Sequence, residues 1–254
     1  MATDCFAVPP ASAKKHTFTV VIDPGHGGKD VGCKGSLTNE KTIVLKVAKA
    51  LGEKIDKKYG DKVNVVYTRD TDRYLTLQQR ADKANDARGD LFISIHVNSV
   101  DKKSRNRRTV HGASVYTLGL HKSANNLQVA MRENSVMELE PDYTTRYQGF
   151  DPNSAESYII FELSQNRHVN QSIDFAAIAQ HELVKTASRA DMDVRQAGFW
   201  VLWATSMPSV LVELDFICNP TQEKFLHSRQ GQDKCAEALF RAFNKYYSHT
   251  VKSK

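Results

Sequence analysis

His26, Glu40, His96 and Glu213 are the residues whose types and placement suit metal-assisted chemistry. His26 stands three residues beyond a β-branched run, His96 ends another, and Glu213 lies inside the apolar run Val210-Leu211-Val212-Glu213-Leu214. Two imidazoles and a carboxylate are one of the ligand sets zinc uses in catalytic sites, with a fourth position left to water. Zinc would bring the pKa of that water to about 7, and a nearby glutamate would take its proton and later deliver it to a leaving amine. This reading puts one Zn2+ on His26, Glu40 and His96 and makes Glu213 the acid–base. Asp23, in the same turn as His26, is placed to accept the other ring N–H.

Each residue also has an ordinary structural explanation. A histidine at a strand end is commonly a satisfied polar side chain, and a glutamate in the first turn of a helix is favoured by the helix dipole. Glu213 is the least expected locally, because a carboxylate in an apolar run needs a partner or a task. Other motifs fail. His181-Glu182 opens a zincin-like pattern, but Lys185 occupies the second histidine position. The glycines at 25, 27 and 32 miss the dinucleotide spacing, Gly28-Lys29 is followed by Asp30 rather than Ser or Thr, and no G-x-S-x-G elbow exists.

The elements that must position these residues follow from periodicity. Thr17 to Asp23 reads as a buried strand stopped by Pro24 and Gly25. A glycine-rich loop leads to a helix starting near Thr38 to Glu40, with Ile43, Val44, Val47, Leu51 and Ile55 on one face and Gly60 as its stop. Lys62 to Thr68 is a second strand, and Thr76 with Gln79 forms a capping box for a helix reaching Arg88. Further strands are expected at Asp90 to Val97, Gly112 to Leu118, Phe199 to Trp203 and Ser209 to Leu214. Helices are expected at Ser123 to Glu138, at Ser154 to Ser188 with a break near Asn166 to Asn170, and at Gly231 to Ser248. Strands alternating with helices imply βαβ crossovers and a mainly parallel sheet covered on both faces. His26 and His96 then lie at carboxyl ends of neighbouring strands, where open α/β sheets place their sites.

Composition narrows the class. The chain has 254 residues, 41% hydrophobic and 25% charged, as an ordinary globular protein does. No stretch approaches the roughly 20 apolar residues of a membrane span. The net charge of +6 suits an anionic partner and peaks at Lys102, Lys103, Arg105, Arg107 and Arg108, a run that also reads as a solvated loop. No recognition motif or aromatic-basic interleaving accompanies it, so nucleic acid is not expected. Cys5, Cys33, Cys218 and Cys235 lack paired C-x-x-C spacing. An oxidised Cys33–Cys218 pair suits an oxidising compartment, and two unpaired thiols are equally compatible with the sequence.

Four separated blocks then identify a family. Val21-Ile22-Asp23-Pro24-Gly25-His26-Gly27-Gly28, Asn39-Glu40, Ile93-Ser94-Ile95-His96-Val97-Asn98-Ser99, and Pro208 through Glu213 to Phe216-Ile217-Cys218-Asn219 strongly resemble the zinc-dependent N-acetylmuramoyl-L-alanine amidases of the bacterial cell-separation type. Arg69, Arg80 and Asn85 sit where that family's linking segment carries similar residues. The resemblance implies a single α/β domain over residues 17–250, with a mixed, mostly parallel sheet of about six strands, behind a flexible tail at 1–16. It implies one zinc, His26, Glu40 and His96 as ligands, Glu213 as the catalytic glutamate, and Asp23, Asn98 and Arg80 as candidates for supporting the site or touching substrate. Asp215 departs from the pattern, since the family usually has a small residue there.

The implied substrate is peptidoglycan, cut at the amide between N-acetylmuramic acid and the L-alanine of the stem peptide during wall remodelling and daughter-cell separation. A monomer exported to the periplasm or cell envelope is expected, with the signal peptide absent from this sequence. Some regulated members carry an inserted helix that covers the zinc until a protein activator moves it. Residues 133–170 are the expected counterpart, with Glu133 as an inhibitory zinc ligand. The competing class is a wall-binding protein without catalysis, which would bind peptidoglycan and release nothing.

Overall fold

The strand Phe18–Pro24 (β1) is apolar at consecutive positions, and its side chains enter two different cores. Val20 and Ile22 join one buried cluster, and Val21 joins another. A strand whose alternate side chains are all buried must be covered on both faces. A computed structural model of the chain describes residues 17–121, 123–163 and 167–252. The tail expected at residues 1–16 lies outside them.

After β1 come α1 (Glu40–Tyr59), β2 (Val63–Tyr67), α2 (Leu77–Asp86), β3 (Leu91–Asn98) and β4 (Ala113–Leu118). The chain continues through α3 (Ala124–Asn134), the short helices α4 (Tyr143–Arg146) and α5 (Ile159–Leu163), α6 (Val169–Lys185) and β5 (Asp191–Ala197). It closes with α7 (Trp200–Trp203), β6 (Ser209–Phe216), α8 (Pro220–His227) and α9 (Arg229–Lys252). The strands form one six-stranded sheet in the order β2-β1-β3-β6-β4-β5. Every adjacent pair is parallel except β4 with β6. The expected mixed, mostly parallel α/β sheet is therefore what the chain forms.

One face packs on α1, α6 and α9 through residues such as Val47, Leu51, Phe175, Leu239 and Phe243. The other carries α2, α3 and α7 over Phe92, Tyr116 and Leu211. The capping box of α2 is present, with Thr76 Oγ1 and Gln79 Oε1 each 3.0 Å from the other residue's backbone N.

Two expectations need correction. Phe199 to Trp203 is not a strand: Trp200–Trp203 is one helical turn whose Trp200, Val201 and Leu202 are all buried, and a short apolar run does not distinguish the two states. The sixth strand is instead β5, an edge strand with Asp191 and Asp193 exposed. Helix α8 was also not expected, although Asn219 caps it by accepting from Thr221 N at 3.0 Å and Pro220 follows at its first position.

Candidate metal centre

The site lies where β1, β3 and β6 end. Beyond β1 the chain turns sharply, and His26 takes φ 58°, a left-handed conformation costly for a side chain of its size. Two buried arginines hold the turn. Arg80 donates to Pro24 O at 2.8 Å and His26 O at 2.6 Å, and Arg69 donates to Pro24 O at 2.9 Å and Gly25 O at 2.7 Å. Gly25 is needed because a Cβ there would stand 2.5 Å from the His96 ring. The loop then doubles back through an antiparallel bridge between Gly27 and Asp30. That places Asp30 Oδ2 2.7 Å from His26 Nδ1, which turns Nε2 inward.

Glu40 arrives on the first turn of α1, fully buried, with Asn39 as the cap. Its Oε2 accepts from Cys33 N and its Oε1 from Val97 N, both at 2.8 Å. His96 and Glu213 are register partners on β3 and β6, so their side chains emerge on one face of adjacent strands. Glu133 comes from the other side, near the end of α3. The next residue, Asn134, fixes that end: its amide donates to Gly198 O at 2.8 Å and Tyr158 Oη at 3.1 Å and accepts from Trp200 N at 3.0 Å.

These elements bring His26, Glu40, His96 and Glu133 into a buried group that could hold a metal ion, with one ligand atom from each within 4.8 Å of all the others. His26 Nε2 lies 3.1 Å from Glu40 Oε1 and 3.1 Å from Glu133 Oε2. His96 Nδ1 lies 3.1 Å and 3.0 Å from the same two oxygens. Four ligands at zinc–nitrogen and zinc–oxygen bond lengths would be about 3.3 Å apart. Despite the short separations, His26 Nε2 and Glu133 Oε2 are buried without a hydrogen-bond partner. His96 Nδ1 does share a hydrogen bond with Glu40 Oε1, but the two unbonded atoms crowd toward the same point.

Electrostatics gives the same picture. Burial works against charge on His96, but the adjoining Glu133 carboxylate outweighs it and lifts the ring's pKa to about 9. Burial opposes charge on His26 as well, and Glu40 drives it well above the ordinary range. Glu40 is held low against its own burial by His26. The cluster draws positive charge to its centre, which a divalent cation would supply without protons.

Glu213 behaves differently. Burial, reinforced by the Glu133 carboxylate, pushes its pKa up to about 8, and its Oε2 has no hydrogen-bond partner. Its Oε1 meets Arg132 Nη2 at 3.4 Å, while another nitrogen of that guanidinium, Nη1, donates to Ser99 O at 2.7 Å. Arg132 also pairs with Glu133 Oε1 at 2.8 Å.

Several expected roles move. Asp23 does not support His26: its carboxylate is taken by Arg80 at 2.8 Å, Thr68 at 2.5 Å and Ser94 at 2.7 Å, and Asp30 does the job instead. Arg80, 2% exposed, braces the backbone of the His26 turn. Asn98 is buried and accepts from Ser99 N at 2.8 Å, which shapes the end of β3. Asp215 binds Gly112 N at 3.0 Å and Arg189 at 2.8 Å, away from the cluster. Cys33 and Cys218 are free thiols; burial and the Glu40 carboxylate push the Cys33 thiol well up. Asp30 and Arg132 were not anticipated. A small cleft is lined by His26, His96 and Glu133 of the cluster together with Leu75, Leu77, Val136 and Val201.

A family sequence profile described as N-acetylmuramoyl-L-alanine amidase matches residues 20–245. AmiC of Escherichia coli, an amidase of the same name, is 30% identical over 246 residues, 94% of this chain but 55% of its own length. AmiA of Escherichia coli is 30% identical over 231 residues, covering 90% of this chain and 75% of AmiA. Among solved structures, the amidase of Clostridium difficile superimposes with a TM-score of 0.68 at 25% identity, covering 92% of this chain and 98% of that one. AmiC2 of Nostoc punctiforme gives 0.66 at 28% identity with the same coverage of 92% and 98%. The chain thus spans just over half the length of the first of these relatives.

Proposed function

Since the chain belongs to the N-acetylmuramoyl-L-alanine amidase family, we propose that it hydrolyses the amide joining the lactyl group of N-acetylmuramic acid to the L-alanine of the peptidoglycan stem peptide. The observation that carries this reading is the convergence of two imidazoles and two carboxylates beside Glu213, whose unpartnered Oε2 has a pKa near 8. His26, Glu40 and His96 would hold a zinc ion. Bound there, zinc supplies Lewis acidity that makes water nucleophilic near neutral pH and polarises the scissile carbonyl.

The protein's own residues manage the protons and the geometry. Asp30 fixes the tautomer of His26, so that Nε2 faces the centre. Glu213 Oε2 takes one proton from the attacking water and returns it to the departing nitrogen as the C–N bond breaks. Water's oxygen ends on the lactyl carbon as a carboxylate, and the amine, with the second proton of the water, leaves as an ammonium. A raised pKa suits a group that must both accept and release a proton near neutrality.

The same reading makes this a latent enzyme. Glu133 Oε2 stands against both imidazoles, in the position the water needs, so the 133–170 segment acts as a lid that a protein activator would displace. Because the substrate lies outside the cytoplasm, the protein works in the cell envelope. None of the helices among the described residues is long and apolar enough to cross a membrane. Mass spectrometry of peptidoglycan after incubation with zinc-loaded protein, both wild type and Glu133→Ala, tests the activity. Stem peptides beginning at a free L-alanine amine are expected; a wall-binding protein would leave intact muropeptides.

A further inference from the structure

Helix α3 brings two side chains to the centre, and they carry opposite charges. Glu133 points one carboxylate oxygen at the imidazoles of His26 and His96, 3.1 and 3.0 Å away, and the other at Arg132, 2.8 Å away. Arg132 places its guanidinium between the Glu213 carboxylate at 3.4 Å and the Ser99 carbonyl oxygen at 2.7 Å. Hydrolysis of an amide yields this pair of charges: a carboxylate on the acyl side and an ammonium on the amine side. We propose that Ser99 O and Glu213 Oε1 form the subsite for the ammonium of the leaving L-alanine, and that Arg132 occupies it while Glu133 stands in for the lactyl carboxylate.

This inference rests on the amidase reading and adds to it the place of each product. The order of groups matches: imidazoles, carboxylate, cation, catalytic glutamate. When α3 withdraws, Glu213 Oε1 loses its Arg132 contact and Ser99 O loses a 2.7 Å donor. Two acceptors so placed suit a cation with several N–H groups, and an ammonium carries three. A neutral amide nitrogen offers a single donor and no charge. The subsite therefore favours the amine after it is cleaved and protonated, and the opened enzyme retains its amine product.

The test is binding, read by calorimetry on zinc-loaded protein. Two variants vacate the subsite, Arg132→Ala alone and Arg132→Ala combined with Glu133→Ala, and circular dichroism confirms that each is folded. Either is titrated with a stem peptide bearing a free L-alanine amine and with the same peptide N-acetylated. The free amine is expected to bind more tightly by about tenfold or more, the difference a hydrogen-bonded charge makes. Adding Glu213→Gln should erase most of the preference. Equal binding of the two peptides, or no binding of either, overturns the subsite. If stem peptides are nevertheless released from peptidoglycan, the amidase reading stands without it. A preference for the amine in a protein that releases none would overturn the product assignment and the amidase reading together.

Discussion

The parallel half of the sheet and the segment from Glu133 to α5 meet at the same cluster, and they are built by different means. On the sheet side, β1, β3 and β6 are buried along their whole length. The turn carrying His26 is tied down by two arginines with almost no solvent contact. The opposite side consists of turns of helix no longer than five residues after α3. It is held by an aromatic group in which Trp200 meets Tyr147, Phe150 and Phe161 at 4.9 to 6.4 Å between ring centres, and by a few polar clasps. Breaking the first side removes the centre. On the proposed reading, loosening the second uncovers it, as a conformational switch requires.

The largest effect should follow from Glu213→Gln. On the proposed mechanism it removes the proton carrier and leaves the ligands in place, so turnover on peptidoglycan should fall by about 10²- to 10⁴-fold while zinc content stays near one per chain. Zinc loss in that variant would mean that Glu213 belongs to the scaffold's structure rather than to its chemistry.

The proposed lid should respond in the opposite direction. Glu133→Ala removes a charged contact of about 1.5–3 kcal/mol to the cluster, which corresponds to roughly a ten- to hundredfold gain in turnover. Turnover at or below the wild-type level on isolated peptidoglycan would show that Glu133 does not close the site, and the contrast between the two regions would fail.

Asp30→Asn sharpens the scaffold side. His26 Nδ1 would then face an amide instead of a carboxylate, and partners of that kind commonly govern metal affinity by 10- to 100-fold. The effect here should be near about tenfold, because Arg80 still fixes the backbone of His26. Competition with a chelator measures it.

What could be read from the sequence follows the same division. β1, α1 and β3 announce themselves by period and by Pro24, Gly25 and Gly60; His26 and His96 converge because their strands end at one edge, and Glu40 because α1 begins there after the glycine-rich loop. Asp30 is invisible in that way. Its contact with His26 depends on a left-handed residue and on the Gly27–Asp30 bridge, which no periodicity encodes. β5 was missed because an edge strand with exposed Asp191 and Asp193 has little apolar alternation to show. The helical turn of α7 looks like a strand in sequence because its burial comes from the aromatic group around Trp200, a tertiary fact. The placement of Arg132 and Glu133 depends on where Asn134 anchors α3.

The smallest effect concerns Glu140, a clasp that joins the two regions. Its Oε1 accepts from Tyr147 Oη at 2.8 Å within the segment and from Tyr74 Oη at 3.3 Å on the scaffold, and Oε2 lies 3.0 Å from Arg146 Nε. Close by, Lys29 donates to Leu139 O at 2.7 Å and lies over the Tyr74 ring. Glu140→Gln keeps the shape and removes the charge, weakening these bonds by about 1 kcal/mol. If the clasp chiefly holds the lid shut, turnover should rise about fivefold and Tm should drop by no more than about 2–4 °C. A larger fall in Tm with unchanged turnover would place Glu140 in the global fold, and the segment would be a permanent wall of the site rather than a cover.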